Sequence, residues 1–255
     1  MNQFSALEKL TQNGYVTFHL EGANSLIDQV NSEIEDLVSS GNFRTNSRIY
    51  SYNDSPRIVE SWRHSPAAKS LAKHPQIIAL LSDYFGSSIR PFSTINFLRS
   101  TEQPLHSDYV HFGTVPSFQL AAAWIALEDI DPRSGPIQVV PGSHKWPEFE
   151  YAMLGLPIAR SIGDVRRYYT LYESWVTDEL QRTCSSPITP ELKKGDAIVW
   201  LANLLHGSPN CEDNTLTRRS QVTHYYTESA EIHYNPAFSR PSNSQYARRI
   251  VEFID

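Results

Sequence analysis

The sequence predicts an α+β chain in which helices come first and a β-sandwich or barrel follows. Three observations carry that prediction. Apolar residues recur at helical spacing over about residues 1–88. From about residue 89 the chain breaks into short β-type runs, and turn formers separate those runs. Helices followed by many strands suit an α+β layer arrangement rather than alternating βα units.

In chain order, Ser25 with Asp28 resembles a capping box, and Leu26, Val30, Ile34, Leu37 and Val38 then follow at helical spacing. Ser65-Pro66 reads as a cap with proline at the first helical position. His74-Pro75 opens another helix, whose apolar face holds Ile77, Ile78, Leu81, Tyr84 and Phe85 and which Gly86 can end. Strands are expected at Ile89–Leu98, Gln119–Leu127, Pro136–Val140, Asp196–Leu201 and Gln221–Tyr226. Between them stand breakers such as Ser134-Gly135-Pro136, Pro141-Gly142-Ser143 and Lys194-Gly195-Asp196. About residues 148–190 read as an insertion between strands. No repeat, low-complexity tract or domain boundary is visible, so residues 1–255 are expected to form a single domain.

Composition narrows the class. The chain is 40% hydrophobic and 20% charged with a net charge of −6, which suits a packed globular protein. The Arg166-Arg167, Arg218-Arg219 and Arg248-Arg249 pairs are its nearest approach to a basic run, so no nucleic-acid partner is expected. No apolar run is long enough to span a bilayer, and no membrane partner is expected. The opening residues lack a secretory pattern, and Cys184 and Cys211 have no metal-type spacing, so a cytoplasmic setting with free thiols is the default.

The chemistry concentrates around two histidines. His106-Ser107-Asp108 sets an imidazole and a carboxylate two residues apart, and in extended chain those side chains share a side. His206 follows the apolar run ending at Leu201 and precedes the turn Gly207-Ser208-Pro209. Two histidines and a carboxylate on one face of an octahedron leave positions open, as in non-haem Fe(II) oxygenases. A bare His-x-Asp is weak on its own, because such a pair also arises in loops.

Longer stretches strengthen it. They are Pro104–Asp108, Ala123–Asp129, Ser134–Lys145, and Gly195-Asp196 through His206-Gly207-Ser208 to Arg218-Arg219-Ser220-Gln221. With the opening Asn13-Gly14-Tyr15-Val16, they resemble the phytanoyl-CoA dioxygenase family of 2-oxoglutarate-dependent oxygenases over about residues 10–230. The resemblance implies a double-stranded β-helix (jelly-roll, cupin-like) core with the N-terminal helices packed on it. It implies Fe(II) on His106, Asp108 and His206, with 2-oxoglutarate and O2 as co-substrates. It places the arginine for the distal carboxylate of 2-oxoglutarate at Arg218 or Arg219. Arg218 is favoured because Ser220, Val222 and His224 then share its side, and the family repeats a histidine six residues after the arginine. Ser208 matches a position that assists that carboxylate, Trp124 one that lines the co-substrate pocket, and Asn96 a weaker match on the preceding strand. His144, in a turn that closes a strand, is not expected to ligate.

The resulting expectation is an enzyme that hydroxylates an unactivated C–H bond of a small molecule and converts 2-oxoglutarate and O2 to succinate and CO2. Related halogenases carry a small residue where Asp108 stands, so the carboxylate disfavours halogenation. Desaturation, cyclisation or epimerisation by the same chemistry is one alternative, and a non-catalytic cupin-like metal-binding protein is another. Tyr109, His111 and Phe112 are candidates for the entrance. Arg48, Tyr50 and Tyr52 are candidates for a lid, and Arg166, Arg167, Tyr168 and Tyr169 stand in the insertion.

Overall fold

The structure, a computed structural model, describes residues 3–41, 44–45, 57–147, 149–150, 154–234, 236–239 and 247–255. The proposed lid residues Arg48, Tyr50 and Tyr52 lie outside the described residues. The elements in order are α1 (Gln3–Asn13), β1 (Tyr15–His19), α2 (Asn24–Ser40), β2 (Arg44–Thr45), β3 (Arg57–Val59), α3 (Pro66–Ala72), α4 (Pro75–Phe85) and β4 (Ile89–Phe97). Then follow β5 (Phe112–Val115), β6 (Leu120–Ala126), β7 (Gln138–Val139), α5 (Ile162–Thr183), β8 (Asp196–Leu201), β9 (His206–Gly207), β10 (Ser220–Thr227) and β11 (Glu231–Tyr234).

Helix boundaries follow local chemistry in α3 and α4. The Ser65 hydroxyl accepts from the Ala68 amide at 2.9 Å and Pro66 occupies the first turn. Pro75 starts α4, and Gly86 ends it in the left-handed region. The proposed Ser25/Asp28 capping box does not form. α2 starts two residues earlier, with Ala23 at the cap position, so Ser25 lies inside the first turn. The reciprocal pair that does form is Ser161 with Asp164 at the head of α5, within the stretch read as an insertion.

A seven-stranded sheet runs in the order β1-β8-β6-β10-β4-β3-β2, and the paired strands within it are antiparallel. The N-terminal region is therefore not purely helical: it supplies one edge through β1 and the other through β2 and β3. Two small antiparallel pairs, β5 with β11 and β7 with β9, complete the jelly-roll core. The large sheet is buried on both faces, and alternation divides its residues. Ala121, Ala123, Ile125, Ala197, Val199 and Tyr225 join α1–α4 in one apolar core. The Tyr225 hydroxyl donates to Ala72 O at 2.9 Å and Gln221 Nε2 to Ala68 O at 3.0 Å, which fastens β10 to α3. On the other face Ile95, Trp124, Ile198 and Val222 form one cross-strand row. Ile95, Trp124 and Val222 of that row line the site. No helix of the described residues is long and apolar enough to cross a membrane.

Candidate metal and co-substrate site

A single β-bridge brings two of the three proposed ligands together. His106 N donates to His206 O at 2.8 Å and His206 N to His106 O at 2.8 Å, and the imidazole centroids lie 4.5 Å apart. Ser107 is extended (φ −101°, ψ 152°), and Asp108 begins a short 3-10 turn that carries its carboxylate in beside them. One ligand atom from each of His106, Asp108 and His206 lies within 4.8 Å of the others.

The close approach of these two segments explains the glycine after His206. A Cβ on Gly207 would meet Gln103 O at 2.8 Å and Leu105 N at 3.0 Å. Both are backbone atoms and cannot swing away. Gly207→Ala is expected to destabilise the protein by about 1–3 kcal/mol, as overpacking does, and to weaken metal binding by spreading His106 from His206. Urea melts and a metal titration on the same variant check both effects.

Hydrogen bonding sets the state of each donor. His106 Nδ1 lies 2.8 Å from Pro104 O and His206 Nδ1 lies 3.0 Å from Leu204 O. A carbonyl only accepts, so each Nδ1 carries the proton and each Nε2 is left as the lone-pair donor. Burial holds both imidazoles below their ordinary titration range, which keeps them neutral at physiological pH. Burial alone would push the Asp108 carboxyl up, but the facing His206 and His224 imidazoles outweigh it and hold the group well below the usual carboxylate range. Trp200 Nε1 donates to Asp108 Oδ2 at 2.9 Å, and Asp108 Oδ1 lies 3.4 Å from His224 Nε2 and 3.6 Å from His206 Nε2. Two neutral nitrogens and one carboxylate oxygen, open on the cavity side, fit a divalent first-row metal. Gln103 Nε2 lies 2.9 Å from His106 Nε2, so ligation there requires Gln103 to give up that contact. Behind the ligands, the Tyr172 hydroxyl on α5 accepts from Ser107 N at 2.7 Å and donates to Ser107 Oγ at 3.0 Å.

The cavity in front of the triad encloses about 450 Å³. Arg218 enters it. Its side chain is 3% exposed, Nη1 donates to Ser208 Oγ at 2.8 Å and to Gly135 O at 3.1 Å, and Nε has no hydrogen-bond partner among the described residues. The guanidinium lies 5.7 Å from the Phe97 ring centroid and 5.8 Å from that of Trp124. Burial, reinforced by the like charge of Arg57, lowers its pKa to about 10, so it remains a cation at neutral pH. A buried donor-only group on neutral oxygens is an electrostatic vacancy for an anion.

Strand phase separates the remaining candidates. Arg219 points away from the cavity to the surface, with Nη1 2.5 Å from Glu35 Oε1. Asn96 also faces away. On β4, Ser93, Ile95 and Phe97 line the cavity, whereas Asn96 turns to the helix side, where its Oδ1 accepts from Ser61 Oγ at 2.5 Å. Those two placements correct the expectation that Arg219 or Asn96 meets the co-substrate. Trp124 and Ser208 line the cavity, as do His111 and Phe112. Tyr109 does not: it is buried in a separate cluster with Phe92 and Leu120. Arg166 and Arg167 are exposed on α5, while Tyr168 is core and the Tyr169 hydroxyl lies 3.1 Å from His111 Nδ1. His144 sits against α1, with Nε2 3.2 Å from Thr11 O. Sequence reasoning missed Arg57, Gln103, Trp200 and Arg249 in the cavity lining. None stands in a local motif, although Trp200 follows from phase, two residues after Ile198 on the same strand.

Comparison with known proteins gives a consistent picture. The family model for phytanoyl-CoA dioxygenase (PhyH) matches residues 10–219. The peroxisomal phytanoyl-CoA dioxygenase of Rattus norvegicus is 24% identical over 214 residues, which is 80% of this chain and 59% of that protein. The chain therefore spans well under two thirds of that relative's length. Among solved structures, the non-heme alpha ketoglutarate dependent epimerase SnoN from nogalamycin biosynthesis matches with a TM-score of 0.70 at 18% identity, covering 99% of this chain and 98% of that one. EctD from S. alaskensis with 2-oxoglutarate and 5-hydroxyectoine matches with a TM-score of 0.63 at 18% identity, covering 88% and 75%.

Proposed function

This chain belongs to the phytanoyl-CoA dioxygenase family, and from that premise we propose that it is an Fe(II)- and 2-oxoglutarate-dependent oxygenase that hydroxylates a C–H bond of a small molecule. The observation that carries the proposal is the sharing of one cavity by two neutral histidines, one carboxylate and a buried arginine that donates to the neutral oxygens of Ser208 and Gly135. A scaffold without chemistry gains nothing from burying either.

In this proposal His106, Asp108 and His206 hold the iron through His106 Nε2, His206 Nε2 and a carboxylate oxygen. When bound, iron with 2-oxoglutarate supplies the oxidising power for O2 chemistry, with succinate and CO2 as co-products. The protein contributes position and exclusion. Trp200 and His224 fix the carboxylate of Asp108. Arg218, steadied by Ser208, takes the distal carboxylate of 2-oxoglutarate through its planar fork. Trp124, Phe97 and Ile137 wall that end of the cavity and keep water from the guanidinium. Gly135, at φ +71°, turns its carbonyl to Arg218 where a Cβ would meet Ser100 Oγ at 2.6 Å. The cavity volume lies within the range of small-molecule sites. A net charge of −6 supports a substrate that is not nucleic acid, and two free cysteines are compatible with a cytoplasmic setting.

A second outcome of the same chemistry, epimerisation, has one observation in its favour: the SnoN match covers nearly the whole of both chains. The experiment for the shared proposal is slow uncoupled turnover. Succinate should form from 2-oxoglutarate in air with Fe(II) and not with Zn(II), and the His106→Ala/Asp108→Ala double variant should fall to background. An unchanged rate in that variant would reject the assignment.

A further inference from the structure

We propose that Tyr172, on α5, is a positioning residue for the metal: through Ser107 it sets the angle at which His106 and Asp108 meet the ion. This deepens, and rests on, the ligand assignment above. His106 and Asp108 each have a tie of their own. The backbone of His106 is bridged to His206, and the carboxylate of Asp108 accepts from Trp200 Nε1 on β8. The joint between them is Ser107, at φ −101° and ψ 152°. Rotation about its N–Cα bond swings Asp108 relative to His106. The groups of a working site have to be held to about 0.5 Å and 10–20°, so the joint needs a support.

That support comes from 65 residues further along the chain. Ser107 N donates to the Tyr172 hydroxyl at 2.7 Å, and the same hydroxyl donates to Ser107 Oγ at 3.0 Å. One phenol therefore holds the backbone and the side chain of a single residue, which fixes rotation about the bond between them. On its other side, Ser107 O accepts from Val110 N at 3.1 Å.

Helix α5 is a firm base for this grip. Ser161 and Asp164 cap its first turn, and Val165, Tyr168, Tyr172 and Val176 form its buried face at helical spacing. The Tyr172 ring stacks on Trp175 at 5.8 Å between centroids and meets Phe149 edge-on at 5.6 Å. Phenylalanine would pack there equally well. What the hydroxyl adds is the pair of bonds to Ser107, and a buried tyrosine hydroxyl needs such partners. Three residues earlier on α5, the Tyr169 hydroxyl lies 3.1 Å from His111 Nδ1 and donates to Val110 O at 3.4 Å. The helix thus touches the ligand-bearing loop at Ser107 and again at Val110 and His111. The stretch that reads as an insertion in the sequence forms the back wall of the metal site.

The test titrates the full chain anaerobically with Fe(II), and separately with Co(II), whose visible ligand-field bands report the geometry of the ligand set. Tyr172→Phe should raise the dissociation constant for Fe(II) about 10–100-fold, the cost of losing a residue that supports a ligand, and should move the Co(II) bands at saturation. Ser107→Ala keeps the bond from its amide to the phenol and loses the one at Oγ. It should change both readouts in the same direction, with an affinity loss of about two- to tenfold, the scale of one neutral hydrogen bond. Val176→Ala trims the buried face of α5 four residues beyond Tyr172. It should lower the melting temperature while leaving the Fe(II) affinity and the Co(II) bands as in the parent. Parent-like bands or parent-like affinity in Tyr172→Phe, or the same changes in Val176→Ala, would overturn the proposal and make Tyr172 a packing residue. If Tyr172→Phe does not fold, parent-like values in Ser107→Ala overturn it instead. Parent protein that takes up neither metal would reject the ligand assignment and this proposal with it. Parent protein that binds both, with Tyr172→Phe unchanged, rejects this proposal alone.

Discussion

Asp108→Ala is expected to weaken ferrous iron binding by at least about 100-fold, because even loss of a residue that only supports a ligand costs about 10–100-fold. Succinate formation should fall to background with it. The carboxylate supplies the negative charge of the ligand set and accepts the hydrogen bond of the buried Trp200 Nε1. Alanine removes both and leaves a buried N–H unsatisfied, at about 1–3 kcal/mol. Asp108→Asn separates the two effects. Its amide oxygen can still accept from Trp200, so thermal stability should stay near that of the parent, while the lost charge still depresses iron affinity. Anaerobic titrations with Fe(II) and melts of both variants decide it. Iron affinity that survives in both would remove Asp108 from the ligand set.

Arg218→Met is expected to raise the dissociation constant for 2-oxoglutarate by roughly 100-fold or more, the loss of two charge-assisted hydrogen bonds at about 1.5–3 kcal/mol each. Iron affinity should remain, because Arg218 is not among the ligands. The same substitution should leave the ligand-free protein at least as stable as the parent. A guanidinium buried on Ser208 Oγ and Gly135 O keeps most of its desolvation cost, and methionine fills similar space without it. A binding site whose removal does not destabilise the fold is one held in reserve for its ligand. A fall in melting temperature together with unchanged 2-oxoglutarate affinity would make Arg218 a structural residue. Arg219→Met supplies the contrast: its partner is Glu35 on the surface, and 2-oxoglutarate binding should not change.

Residues whose placement depends on local geometry were legible in the sequence. The His106-Ser107-Asp108 spacing needs only an extended Ser107, and the Ser65-Pro66 and Gly86 boundaries need only a cap and a left-handed residue. Residues whose placement depends on strand phase were legible to within one position. Arg218 against Arg219, and Asn96 against Ile95 and Phe97, are each decided by pairing: the register Val222↔Trp124 and Val222↔Ile95 puts even-numbered residues of β10 and odd-numbered residues of β4 on the cavity face. A pattern in one strand cannot supply that phase when both faces are buried, because apolar residues then occupy both. Arg57 and Arg249 were not legible. They arrive from distant parts of the chain, on the strand next to the sheet edge and on a C-terminal segment, and only the cavity gives them a common target. Strand β1 was missed for a related reason. Five residues between a helix and a loop carry little periodicity, and the antiparallel partner β8 lies nearly two hundred residues away.

The most direct test of the central claim is an anaerobic titration of the metal-free protein with Fe(II) and then 2-oxoglutarate, followed by visible absorption. The triad and Arg218 together predict a weak charge-transfer band that appears only when both are present, saturates at one equivalent of each, is lost in Asp108→Ala, and shifts to much higher 2-oxoglutarate concentration in Arg218→Met. Stoichiometric iron binding with no such band at saturating 2-oxoglutarate would contradict the claim that this cavity holds the two together.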